Sequence, residues 1–214
     1  MLIVLTIIAT IVGYLIGSLN FALIVCKLTR KEDIRHFGSK NAGMTNMLRV
    51  YGKGPAIMTL LGDFFKGIAA ILLCWLLFHL CHFDRPVWVD YAVGFAAMLG
   101  HTFPIFYGFR GGKGVLIAIG IVMILTPIPA LATFGVFLII LAFSRTVSLS
   151  SMIASCSAPL WIWLFGSITA DADMKMKAIC TAVMALFIVG MHWSNILRLI
   201  RGEENTFRTK KNAK

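Results

Sequence analysis

The sequence predicts an all-α protein that crosses a membrane seven times, and three observations carry that reading. Hydrophobic residues make up 59% of the 214-residue chain and charged residues only 14%, with a mean hydropathy of +0.87; soluble domains keep close to a quarter of their residues charged. The apolar residues fall in runs of about 20, the length a helix needs to cross a ~30 Å hydrocarbon core. The basic residues fall almost entirely between those runs, and on alternate sides of them.

The first run, residues 2–26, is too long for a cleavable signal and is read as a span. Residues 55–81 form the second, interrupted by Asp63 and Lys66, and residues 87–109 the third. The stretch 114–144 would make a single helix of about 46 Å, too long for one crossing. Pro127 and Pro129 stand at its middle, and proline breaks a helix interior. It therefore divides into two short helices with a turn at 126–130. Residues 150–169 and 176–200 complete seven spans.

Charge orients them. Seven Lys/Arg lie in 27–53, two in 110–113, one at Arg145 and six from Arg198 onward. With seven spans these sixteen share one side, leaving only Arg85, Lys175 and Lys177 opposite and Lys66 within a span. The basic side is cytoplasmic, so the N-terminus is outside and the C-terminus inside. A net charge of +11 arranged this way points to membrane and anionic partners, with no nucleic acid. The five cysteines form no CxxC pair and read as small hydrophobes. No repeat or second domain is visible; residues 1–214 read as one integral-membrane domain.

Four segments bring polar residues to the basic side: "GSKNAGMTN" within 27–53, "GFRGGKG" at 108–114 after "GHTFP", "RTVSLSS" at 145–151, and "HWSNILRLIRGEE" at 192–204. They hold Gly, Ser, Thr, Asn, His, Arg and Lys, with Glu203 and Glu204 almost the only carboxylates. That composition suits a phosphorylated ligand. Glycine lets backbone N–H groups approach oxyanions, arginine offers a bidentate fork, and lysine a point charge. "GGKG" leads into a helix whose N-terminus favours an anion, although Walker A spacing is absent. Plainer readings stand beside these. Glycine-rich turns join many membrane helices, Lys27, Arg30 and Lys31 serve topology, and His192 and Asn195, at i and i+3, suit a helix–helix contact. Asp63 and Lys66, also i and i+3, read as a structural ion pair positioning the preceding loop. "HLCHFD" (79–84) matches an H-x4-D acyltransferase pattern, but it falls on the outer side and is read as coincidence.

In order and wording these segments resemble the PlsY family of bacterial membrane glycerol-3-phosphate acyltransferases. The resemblance rests on "GSLN" (17–20), "DIRHFGSKNAGMTNMLR" (33–49), "GDFFKG" (62–67), "GHTFPIFYGFRGGKGV" (100–115), "SLSS" (148–151) and "HWSNILRLIRGEE". Asn20, Lys40 and Leu116 depart from the family's usual Pro, Gly and small residue. The resemblance implies seven helices in the bacterial cytoplasmic (inner) membrane, with the active site facing the cytoplasm. It implies transfer of a fatty acyl group from acyl phosphate to the 1-hydroxyl of sn-glycerol 3-phosphate, giving lysophosphatidate and phosphate. The substrates, membrane lipids and the enzyme that makes acyl phosphate are the implied partners; no cofactor or metal is implied.

An acyl phosphate already carries a good leaving group, so position and charge neutralisation matter more than a covalent nucleophile. No Ser-His-Asp set and no base-paired cysteine is present. The hydroxyl is then expected to attack directly, its proton going to a substrate phosphate oxygen or to His192. Ser39, Asn41, Thr45 and Asn46, with the backbone at Gly38 and Gly43, are assigned to cradle a phosphate. Arg49 and Lys113 neutralise it, and Ser148 adds a donor. His192 and Asn195 orient the glycerol phosphate, Gly111, Gly112 and Gly114 permit close approach, and Glu203 fixes a basic residue. A membrane transporter for a phosphorylated or other anionic solute is the alternative. It fits less well, because transporter sites lie near the midplane between related halves.

Overall fold

The computed structural model describes residues 1–206, which contain ten α-helices and no strand. The helices are α1 (Leu2–Gly17), α2 (Phe21–Arg30), α3 (Met44–Tyr51), α4 (Lys53–Leu80), α5 (Val87–Thr102), α6 (Val115–Leu125), α7 (Pro127–Ser144), α8 (Val147–Ile168), α9 (Met174–Met191) and α10 (Trp193–Ile200). Five helical segments are long and apolar enough to cross a membrane, with Leu2–Arg30 counted as one; α6 is apolar but shorter. Four of the six bases expected in the C-terminal tail lie outside the described residues.

Several boundaries differ from the sequence reading, each for a local reason. The first run is not one helix: it breaks at Ser18–Asn20, where the Ser18 hydroxyl donates back to the Tyr14 carbonyl at 2.9 Å. Asn20 then caps α2 by accepting from the Leu23 N–H at 3.1 Å. The third run ends at Thr102, because Phe103 precedes Pro104 and leaves the helical region, and residues 105–107 form a 3-10 turn. The α6–α7 turn is tighter than expected, a single residue, Thr126. Pro127 and Pro129 occupy the first turn of α7, where their missing N–H groups have no intrahelical partner to lose. The last run is interrupted at His192, between α9 and α10.

The main core forms where α1, α4, α5, α6 and α9 meet, around Ile71, Phe78, Val89, Val93, Met98, Ile117, Ile121 and Met184. Gly13 and Gly17 lie directly on the α5 backbone at Val93 and Ala97, the small-residue contact that lets membrane helices approach closely. A second, smaller core of Leu23, Val25, Cys26, Ile34, Ala42, Met47 and Ala56 fastens α2 and α3 to the base of α4. It holds residues 31–52 as a built structure rather than a loose loop.

Candidate active site

The four polar segments close around one cavity of about 890 Å³. Its wall includes Ser39, Asn41, Gly43, Thr45, Asn46, Arg49, Gly111, Gly112, Lys113, Gly114, Ser148, His192 and Asn195, so the structure brings together thirteen of the fifteen residues named from sequence. Gly38 and Glu203 are not part of it.

The first segment folds around Asn46, which is 1% exposed. Its carbonyl accepts from the Ser39 N–H at 2.9 Å, and its amide donates to the Phe37 and Asn41 carbonyls at 3.0 and 3.1 Å. Asn46 thus spends its polar atoms on the loop itself and lacks a free donor for phosphate. Gly38, at φ +57°, makes the turn; a Cβ there would fall on Asn46 Oδ1. Thr45 and Arg49, at i and i+4 on α3, share a face of that helix. Arg49 is solvent-exposed and makes no ion pair among the described residues.

The second segment is docked onto the end of α5. The Gly111 N–H donates to the Thr102 carbonyl at 3.0 Å and the Gly112 N–H to the His101 carbonyl at 3.1 Å. These two N–H groups are therefore committed to α5, and the two glycines serve the close approach of loop to helix. Gly114, at φ +83°, is the N-cap of α6. The first N–H groups of α6 have no intrahelical acceptor, and Gly114, Val115 and Leu116 line the cavity beside them. The anion-favouring helix end read from "GGKG" is thus at the cavity wall.

Lys113 is the hub of the remaining contacts. Its ammonium donates to Asn195 Oδ1, and Asn195 Nδ2 donates to Glu204 Oε1 at 2.7 Å. Glu204 also accepts from Ser148 Oγ at 2.9 Å and from Arg198 Nε at 2.7 Å. The carboxylate that fixes a base is Glu204, not Glu203, whose side chain is exposed. The chain turns at Arg201–Gly202, and the Glu203 N–H donates to the Arg198 carbonyl. That geometry directs the following residue inward. Burial, with Arg198 and Arg49 adding to it against the pull of Glu204, brings the Lys113 pKa down to about 8. Burial alone would raise that of Glu204, but its hydrogen bonds from Asn195, Ser148 and Arg198 outweigh this and hold it below the ordinary value.

His192 is 3% exposed, and its Nδ1 lies 2.8 Å from the Ile188 carbonyl. A carbonyl can only accept, so Nδ1 carries the proton and Nε2 keeps its lone pair.

Two links absent from the sequence reading tie the site together. Arg35 donates to the Tyr107 and Arg110 carbonyls at 2.7 and 3.0 Å and is held by Asp33, joining the first polar segment to the second. Asp63 and Lys66, paired at 2.7 Å as expected, also bind Leu19 and His101. Neither link has a signal in sequence spacing, since the partners are 35 to 75 residues apart. A greasier groove adjoins the cavity between α6, α7, α8 and α9. It is lined by Ala118, Val122, Ala130, Ala154 and Ala158, and it shares Val115, Ile119, Phe134, Phe137 and Ser151 with the polar cavity. No cluster of metal-ligating side chains occurs among the described residues.

Comparison with known proteins places this arrangement. Residues 7–202 match the family model for glycerol-3-phosphate acyltransferase. Glycerol-3-phosphate acyltransferases from Thermosynechococcus vestitus and Bordetella petrii are 41% and 42% identical, over 91% and 93% of this chain and 91% and 92% of theirs. The crystal structure of PlsY (YgiH), an integral membrane glycerol 3-phosphate acyltransferase, in its glycerol 3-phosphate form, superposes with a TM-score of 0.81 at 35% identity, covering 95% of this chain and 96% of that one. Its lysophosphatidic acid form gives 0.79. The chain belongs to the glycerol-3-phosphate acyltransferase family.

Proposed function

We propose that this protein transfers a fatty acyl group from acyl phosphate to the 1-hydroxyl of sn-glycerol 3-phosphate, releasing phosphate and lysophosphatidate. The observation that carries the reading is the continuity of two unlike spaces: a cationic, donor-rich cavity opens into an apolar groove between helices. A phosphorylated small alcohol suits the first, and a substrate with a phosphate head and a long chain suits both.

In the reaction, the glycerol oxygen attacks the acyl carbonyl carbon, and the bond from that carbon to the phosphate oxygen breaks. The hydroxyl proton passes to a substrate phosphate oxygen or to the free Nε2 of His192. Arg49, Lys113 and the α6 N-terminus neutralise the phosphates, with Ser39 and Thr45 as uncharged donors. Asn195, Ser148 and Glu204 hold Lys113 and Arg198 in place. The chain forms a single domain that crosses the bacterial inner membrane seven times, α1 and α2 together making the first crossing. The N-terminus is outside, and the polar cavity faces the cytoplasm, where the enzyme that makes acyl phosphate delivers its product.

The test is acyl transfer by the purified protein in lipid. Palmitoyl phosphate and palmitoyl-CoA are supplied in parallel with labelled glycerol 3-phosphate, and Lys113→Ala is run beside wild type. Lysophosphatidate from palmitoyl phosphate alone, lost in the variant, is expected. Product from palmitoyl-CoA alone overturns the donor; no product from either overturns the assignment.

A further inference from the structure

The cavity floor holds two buried side chains that the mechanism above does not use. His101 and Thr102, the last two residues of α5, are 4% and 2% exposed, and both line the cavity. Thr102 Oγ1 is buried without a hydrogen-bond partner among the described residues. His101 Nε2 lies against Gly112 and also makes no hydrogen bond among them.

The tautomer of His101 follows from counting protons. The Lys66 ammonium has three N–H bonds and meets three acceptors: Asp63 Oδ1 at 2.7 Å, the Leu19 carbonyl at 2.8 Å and His101 Nδ1 at 2.9 Å. Nδ1 also lies 3.4 Å from Asp63 Oδ1, but that contact is longer than the 2.9 Å to Lys66, and the carboxylate oxygen is already taken by the ammonium. Nδ1 therefore accepts from Lys66, and the ring proton sits on Nε2. His101 is the mirror of His192, whose Nδ1 donates to a carbonyl. One histidine at this cavity is fixed as a donor and the other as an acceptor. Thr102 Oγ1 is the buried donor without an acceptor; such a group is costly and is kept where a ligand completes it.

We propose that His101 Nε2–H and Thr102 Oγ1–H form a donor pair that binds an anionic phosphate oxygen of the bound substrate, with Lys66 and Asp63 locking the imidazole in its donor tautomer. The assignment rests on the acyltransferase reading above and adds two substrate-contacting residues to it. His101 Nε2 lies against Gly112, and Thr102 Oγ1 lies near Gly114, the N-cap of α6. The lock also explains why a helix break and an intramembrane ion pair meet at this point. The unwound Leu19 carbonyl supplies the third acceptor that leaves Lys66 no proton to spare.

The experiment uses the full-length protein in nanodiscs with 15N-labelled histidine. The His101 ring resonances, identified by their loss in His101→Gln, should report a protonated Nε2, and Nε2 should shift on titration with inorganic phosphate. His101→Phe and Thr102→Val should each weaken phosphate inhibition and lower kcat/KM by about 10–100-fold, the scale of one charge-assisted hydrogen bond. His101→Gln, which places an amide donor near the Nε2 position, should recover most of that loss. If His101→Phe does not fold, Thr102→Val and the wild-type spectrum decide. A protonated Nδ1 overturns the proposal. So do an Nε2 resonance indifferent to phosphate, or folded donor-less variants with wild-type kcat/KM and phosphate inhibition. Wild-type protein that makes no lysophosphatidate yet shows the phosphate-dependent Nε2 shift would overturn the reaction and leave the donor pair standing.

Discussion

Gly112→Ala should disable this enzyme while leaving it folded, and the structure gives the reason in atoms. A Cβ on Gly112 would meet the Ala42 carbonyl oxygen at 2.8 Å, where ordinary contact begins near 3.4 Å, and it would lie closer still to the His101 ring. Ala42 belongs to the first polar segment and His101 to α5, so the methyl group would be wedged against two other walls of the site. The ring cannot swing away without giving up its contact with Lys66. The loop must then retreat by more than half an ångström, carrying Lys113 and the α6 N-terminus with it. Misplacement of catalytic groups by about 1 Å costs on the order of 100-fold in rate, and overpacking costs roughly 1–3 kcal/mol of stability. Initial rates over a range of glycerol 3-phosphate, with thermal unfolding in the same detergent, separate the two effects. The expected result is a kcat/KM lower by about 100-fold in a protein that still unfolds cooperatively. Gly54→Ala is the control: it lies in the first turn of α4 with nothing within 4 Å of the added carbon, and its activity should not change. Wild-type kcat/KM in Gly112→Ala would refute the wedge, and with it the view that these glycines serve packing on α5.

The lowered pKa of Lys113 predicts that KM for glycerol 3-phosphate rises as pH passes about 8 and the ammonium is lost; Lys113→Arg should abolish that limb of the profile. Stability should move the other way. The unfolded chain binds the extra proton between about 8 and the ordinary lysine value of 10.5, so this group makes folding more favourable as pH climbs through that window, as unfolding at fixed ionic strength would show. Glu204→Ala removes the acceptor of three donors and should cost roughly 1–3 kcal/mol and most of the activity, whereas Glu203→Ala should stay within about 0.5 kcal/mol of wild type. Acidification through the depressed pKa of Glu204 should weaken the same hub from the other end, seen as a fall in melting temperature that Glu204→Ala lacks. Ala158→Phe should block the apolar groove, turning preference from palmitoyl to shorter acyl phosphates by about 10–200-fold in relative kcat/KM.

Much of the site was legible because a membrane fold sorts residues so strictly. Few polar groups are tolerated in the spans, so "GSKNAGMTN", "GGKG" and "HWSN" stood out, and eleven of the site residues named from sequence, all drawn from them, share one cavity with Arg49 and Ser148. The Asp63–Lys66 pair was legible for the same reason, as two charges one helical turn apart in an apolar run. What the sequence hid was how each polar atom is spent. Asn46 looks like a phosphate ligand until its amide is seen to close its own loop. The N–H groups of Gly111 and Gly112 look free until α5 takes them. Glu203 and Glu204 differ by one position in a turn whose direction no pattern reveals. His101 was passed over in "GHTFP" because its partners, Lys66 and Gly112, are its neighbours only in space. The breaks at Ser18–Asn20 and His192 were missed because apolar residues flank both, and hydropathy does not register one unwound carbonyl.

The short helix α6 carries a consequence for how lipid and water-soluble substrates meet. At 1.5 Å per residue α6 is about 16 Å long and α7 about 27 Å. Thr126 joins them, and in the proposed topology, where they cross in opposite directions, α6 falls short of the reach of α7 by about 10 Å. That topology recesses the cationic site below the level of Arg145. Lifting a palmitoyl chain out of a hydrocarbon phase would cost on the order of 12 kcal/mol, at about 0.8 kcal/mol per methylene. A recessed site avoids that cost: the acyl chain stays among the helices, and it is the small hydrophilic alcohol that travels inward. The product then gains its glycerol phosphate head below the surface, with its tail already in the bilayer.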